Sequence, residues 1–133
     1  MERPMNALGM IELTSIASGF AVAEAMLKAG EVELLLSRTI CSGKFMILIG
    51  GMVASARAAV DAGVEIGGGA VIDQSVIANL HPSVFPAISG TTAVGQLEAL
   101  GVIESFSVVS LIEAADAAVK TGNVTLMEIR LAM

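Results

Sequence analysis

Cys41 is the only cysteine and His81 the only histidine of this 133-residue chain. A lone cysteine is most often a small buried hydrophobe. Its chemical alternative is metal ligation. An iron–sulfur cluster needs three or four thiolates, and the sequence contains no C-x-x-C spacing. One chain therefore offers one ligand, and only a symmetric oligomer can gather enough of them. With one cysteine, a disulfide within the chain is excluded. Ser42 and Gly43 follow Cys41. Glycine permits close backbone approach, and N–H groups exposed there can bind a polar ligand. A tight hairpin turn explains the same residues. His81 precedes Pro82, and the sequence supplies no partner for a catalytic base or a metal site. Glu12 and Glu104 are carboxylates that could share acid–base work. Gly67-Gly68-Gly69 lacks the Lys-Ser/Thr ending of a phosphate loop and reads as a linker. The eight methionines read as gap-fillers of a core rather than ligands.

What positions these residues is a chain organised by internal repetition. Ala7-Leu8-Gly9-Met10-Ile11-Glu12 falls on Ala99-Leu100-Gly101-Val102-Ile103-Glu104 at an offset of 92 residues, without a gap. The register holds through Ser15 on Ser107, Ser18 on Ser110, Lys28 on Lys120, Gly30 on Gly122 and Arg38 on Arg130. Glu12 and Glu104 are matched positions, which argues for a repeated structural role over catalysis. The match runs to Met133, opposite Cys41. Residues 1–90 are thus expected to form one domain. Residues 91–133 are expected to be the N-terminal part of a second, incomplete one.

Within one repeat the pattern is α+β. Ala7–Leu13 is a predicted strand. Ser18 is the predicted N-cap of a helix whose inward residues are Phe20, Ala23, Met26 and Leu27. Gly30 is its predicted C-cap. Val32–Cys41 and Phe45–Ile49 read as a hairpin turning at Ser42-Gly43. Gly50-Gly51 opens a second helix over Met52–Ala62, stopped by Gly63. Ala70–Leu80 is a fourth strand, and His81-Pro82 begins a short helix. The order β-α-β-β-α-β predicts an antiparallel-rich sheet with helices packed on it.

Composition narrows the function. Hydrophobic residues make up 55% of the chain and charged residues 15%, a balance that points to surface buried against other subunits. The longest apolar run, Phe45–Ala56, lies between Lys44 and Arg57, short of the roughly 20 residues that span a bilayer. Met1-Glu2-Arg3-Pro4 lacks a signal-peptide layout, so a cytoplasmic location is expected. A net charge of −6, with no Trp or Tyr, argues against a nucleic-acid partner.

The motifs Ala7–Glu12, Ala25-Met26-Leu27-Lys28-Ala29-Gly30-Glu31-Val32, Gly50-Gly51 with Ala54–Gly63, and Asn79-Leu80-His81-Pro82 together resemble the shell-protein (BMC) domain of bacterial microcompartments. Two such domains in one chain resemble the tandem class, in which three chains build a pseudo-hexagonal tile. Ile40–Phe45 and Ala78–Val84 resemble the iron–sulfur members of that class from propanediol-utilising compartments. The resemblance implies a structural shell protein, not an enzyme. It places Cys41, Ser42 and Gly43 at a central pore, where three Cys41 sulfurs would share a 4Fe–4S cluster for electron transfer across the shell. It places Lys28, Lys120, Asn79 and His81 at the tile edge. The partners it implies are two further copies, other shell proteins and a redox partner. Two alternatives stand beside it. One is a plain tile with a metabolite pore and no cluster, and the other is a small tandem α+β ligand-sensing module. No triad, paired base or phosphate loop favours an enzyme.

Overall fold

Strand β1 (Ala7–Leu13) has a partner on each side. In this computed structural model, residues 4–132 are described. Met1, Glu2 and Arg3, which opened the signal-peptide reading, and Met133 lie outside the described residues. The chain forms two compact units, divided between Asn79 and Leu80.

In the first unit β1 runs antiparallel to β3 (Lys44–Gly51) and to β4 (Val71–Ala78), and β2 (Val32–Ile40) pairs with β3 at the far edge. The sheet order is β2-β3-β1-β4. Ala7, Ile11 and Leu13 join Phe45, Ile47 and Ile49 in a core under two helices. The alternate residues Leu8, Met10, Glu12, Met46 and Leu48 point to the other face and are buried as well. Burial on both faces explains why β1 reads as a near-continuous apolar run.

Helices α1 (Ile16–Ala29) and α2 (Val53–Gly67) pack on each other and on the sheet. The cap of α1 is Ser15, not Ser18. Ser15 is extended, and its hydroxyl accepts the Ser18 N–H at 3.1 Å, so Ser18 lies one turn inside. Gly19, Val22, Ala23 and Met26 form the buried stripe. Phe20 and Leu27, predicted to face inward, are 67% and 42% exposed. The contact with the sheet falls on Gly19 because the Phe45 ring fills the space where a Cβ would stand. Phe20 is set to one side, its ring 5.5 Å from that of Phe45.

Of two glycines read as helix punctuation, Gly30 caps α1 as expected and Gly63 does not end α2, and both are close-packing positions. Gly63 lies inside α2, which runs on to Gly67. A Cβ there would come 2.5 Å from Ile11 Cδ1 and 2.7 Å from Met26 Cγ. Gly30 does end α1, but its φ of −148° is ordinary extended backbone. A Cβ on Gly30 would approach the Ser55 carbonyl oxygen to 2.5 Å, so the loop after α1 and the start of α2 pass closely here. Gly50 and Gly51 finish β3 rather than opening α2. Gly67-Gly68-Gly69 is an end-of-helix turn, not a free linker. The predicted order β-α-β-β-α-β is present, with every strand pair antiparallel.

The second unit contains α3 (Val84–Ser89) and α4 (Val108–Thr121). The start of α3 is Val84, after Ser83, rather than His81-Pro82. α4 repeats the local chemistry of α1. The Ser107 hydroxyl accepts the Ser110 N–H at 3.1 Å, and Lys120 pairs with Asp116 four residues back, as Lys28 pairs with Glu24. The segments matched to β1 and β2, Ala99–Ser105 and Val124–Ala132, are assigned neither strand nor helix. In the first unit β1 is held by β3 and β4, and β2 by β3.

Candidate functional site: the β2–β3 hairpin and the end of α1

The hairpin that carries Cys41 is anchored on both sides by buried residues, Ile40 at the end of β2 and Phe45 in β3. Between them Cys41, Ser42 and Gly43 are all exposed. Gly43 has φ of +75°, a left-handed conformation that glycine adopts without a Cβ penalty. Cys41 is therefore a surface thiol at a turn, not a core filler.

Directly after the turn, the Lys44 ammonium donates to Glu12 Oε2 at 2.7 Å. The Glu12 side chain is wholly buried and that of Lys44 is 23% exposed. Glu12 stands opposite Met46 of β3 and Asp73 of β4, so its carboxylate meets the first residue of β3 from the middle strand. The repeat pointed to a structural role for Glu12. Its partner was missed, since Lys44 lies 32 residues away and only the hairpin register brings the two together.

The lysine near the end of α1 sits on a different feature. Lys28 is exposed, and its ammonium reaches Glu24 one turn earlier, at 2.5 Å. That hydrogen bond first, and the lysine charge second, hold the Glu24 carboxyl below the usual carboxylate range. Lys28 also borders an open cleft of about 500 Å³, floored by Gly30, Ala54 and Ser55. Asn79 is exposed with φ of +52°, a conformation that asparagine tolerates better than most residues.

In the second unit, Lys120 pairs with the buried Asp116, whose other carboxylate oxygen accepts the His81 backbone N–H at 2.8 Å. The His81 ring turns to its own segment. Its Nδ1 lies 2.7 Å from Ser83 Oγ and accepts the Ser83 N–H at 3.2 Å. His81 is thus tied into the turn before α3, while Cys41, Ser42 and Gly43 share one hairpin tip and Lys28 lies at the end of α1.

A 4Fe–4S group can be tested against this geometry. Among the described residues, no group of three or more His, Cys, Asp or Glu side chains could hold a metal ion. One chain provides a single exposed thiol, which suits one corner of a cluster shared between chains and not a cluster held by one. Among the described residues, no helix is long and apolar enough to cross a membrane.

Comparison with known proteins agrees with this architecture. The chain is 46% identical over 127 residues to the bacterial microcompartment shell protein PduT of Citrobacter freundii, covering 96% of this chain and 69% of that protein. It is 34% identical over 94 residues to the carboxysome shell protein CsoS1 of Prochlorococcus marinus, covering 68% of this chain and 90% of the relative. A crystal structure of a microcompartment protein from Desulfitobacterium hafniense superposes with a TM-score of 0.85 at 46% identity, covering 98% of this chain and 72% of that one. The BMC domain matches residues 7–80 and again 99–133, the two segments related by the internal repeat, and the chain belongs to the BMC-domain family of microcompartment shell proteins.

Proposed function

We propose that this shell protein is a structural tile, not an enzyme, in which three chains surround a pore lined by Cys41, Ser42 and Gly43. The observation that carries the reading is the exposed thiol at the tip of a hairpin whose flanks are buried. A three-fold axis beside that tip would assemble three thiolates. Three cysteines satisfy three irons of a 4Fe–4S cluster and leave the fourth iron to another ligand. When bound, the cluster would supply one-electron transfer across the shell, which in turn calls for a redox partner. The protein's own contribution is the hairpin. Ile40 and Phe45 hold its ends, and the Glu12–Lys44 pair fixes the first residue of β3. Lys28, Lys120, Asn79 and His81 are assigned to the tile edge, where exposed Lys28 on the rim of an open cleft suits contact with neighbouring shell proteins. A plain tile with a metabolite pore is the second reading, favoured by the single thiol per chain.

Anaerobic expression and reconstitution with iron and sulfide decide between the two. The cluster reading expects absorbance at about 400 nm and an EPR signal at roughly one cluster per three chains, both lost in Cys41→Ser. Colourless wild-type protein of trimeric mass would establish the plain tile.

A further inference from the structure

The first residues of β3 are fastened from both faces of the sheet. The Phe45 ring enters the core beneath the helices, against Gly19. Lys44 falls on the other face, with Met46 and Glu12, and there its ammonium meets the Glu12 carboxylate at 2.7 Å. On the opposite arm Ile40 is buried and stands across from Lys44 in the strand register. The exposed residues Cys41, Ser42 and Gly43 therefore rise from a base held at Ile40, Lys44 and Phe45.

Packing alone does not call for an ion pair at this place. Apolar residues of similar volume often serve a buried setting as well or better, because each charge must be taken out of water. Here the Glu12 side chain is wholly enclosed, while that of Lys44 keeps part of its surface in water. The pair also has a direction. Glu12 stands opposite Met46, two residues further from the tip than Lys44, so the positive member is the one nearer Cys41. Lys44 follows Cys41 by three residues, which keeps their Cα atoms within about 11 Å of each other.

From this placement we infer that Glu12 and Lys44 are positioning residues for the Cys41 thiol. The pair clamps the base of the hairpin, and its cationic end offsets the negative charge that gathers where thiolates meet. Thiolates brought to one axis repel each other. A counter-charge eases that repulsion only if it stays in place, and the buried Glu12 carboxylate keeps the ammonium there. The use made of this charge rests on the proposed three-chain pore, whereas its placement beside the thiol is a property of the single chain.

The test uses the full chain, free of iron, and two alkylating reagents, neutral iodoacetamide and anionic iodoacetate. The Cys41 thiolate attacks both, so the ratio of the two rates cancels exposure and thiolate content and reads local charge. At low ionic strength one unit charge about 10 Å away changes that ratio about twofold. Lys44→Met is expected to lower the iodoacetate-to-iodoacetamide ratio by about that factor. Glu12→Gln is expected to raise it by a similar factor, and Lys44→Arg to keep the wild-type value. A hairpin that is merely loosened would leave the ratio unchanged. No shift in either variant, or shifts in the same direction, would overturn the inference. If Lys44→Met does not fold, Glu12→Gln decides alone, and a ratio at or below wild type overturns the inference. In samples reconstituted with iron and sulfide, the cluster potential is expected to be higher in Glu12→Gln than in wild type and lower in Lys44→Met. The reverse order would also overturn it. Colourless wild-type protein with opposed shifts in the alkylation ratio sinks the cluster reading alone. A cluster without those shifts sinks the positioning role alone.

Discussion

At the residue scale, the pair behind the hairpin has unequal members. Glu12 is sealed in the sheet, while Lys44 keeps part of its surface in water. Removing the cation takes the opposite charge away from a buried carboxylate, which costs about 3–5 kcal/mol. Removing the carboxylate leaves a lysine whose long stem can carry its charge outward, at about 1–2 kcal/mol. Lys44→Met is therefore expected to destabilise the chain more than Glu12→Gln. Urea unfolding midpoints read the difference directly, and the reverse order would show that Glu12 is better solvated than its burial indicates. Cys41 presents the opposite case. Its exposure means that Cys41→Ser should leave the unfolding midpoint within about 0.5 kcal/mol of wild type, so loss of a cluster signal in that variant would report on ligation rather than on folding.

At the element scale, helix propensity and packing pull against each other at the glycines. Gly63→Ala gains up to about 1 kcal/mol of propensity, but its methyl would run into Ile11 and Met26, and overpacking of that kind costs about 1–3 kcal/mol. Net destabilisation is expected by thermal melting. Gly69→Ala meets open space and should be neutral or slightly stabilising. On α1, the Glu24 carboxyl is expected to titrate below its ordinary 4.5, and Lys28→Ala should return it toward that value in an NMR titration. Because the folded value is the depressed one, the small stabilisation from this pair is present above the ordinary pKa. It is lost as pH falls through the lowered one.

These same elements show what the sequence could disclose. The bounds predicted for β1, Ala7–Leu13, are those observed, because a strand flanked on both sides and buried on both faces is apolar throughout. The hairpin turn at Ser42-Gly43 is legible from its residues, while Cys41, read as the end of the strand, lies one residue beyond β2. The stop assigned to Gly63 was not correct, since a glycine demanded by close helix–sheet contact looks like one that ends a helix. Ser18 and Ser15 differ as caps only in backbone conformation. Phe20 was read inward because its spacing fits, yet the adjacent Gly19 takes the contact. The Glu12–Lys44 pair depends on register between strands, which no local pattern encodes.

At the scale of the whole molecule, similar sequences in the two repeats meet unequal surroundings. Ala7–Leu13 is hydrogen-bonded to strands on both sides, whereas Ala99–Ser105, carrying nearly the same residues, has no ladder. Val102 and Ile103 are 77% and 54% exposed, while their counterparts Met10 and Ile11 are fully buried. Local propensity cannot account for that contrast, because it is shared. The neighbouring strands do, through the non-local pairing that fixes a strand. Hydrogen exchange on the chain in dilute solution is thus expected to protect the amides of Met10 and Ile11 at least about a thousandfold more than those of Val102 and Ile103. Comparable protection in the two segments would mean that Ala99–Ser105 finds strand partners in dilute solution. Slowing at Val102 and Ile103 only when the chain is mixed with other shell proteins would locate those partners in the assembled tile, and would make folding of the second repeat and assembly a single event.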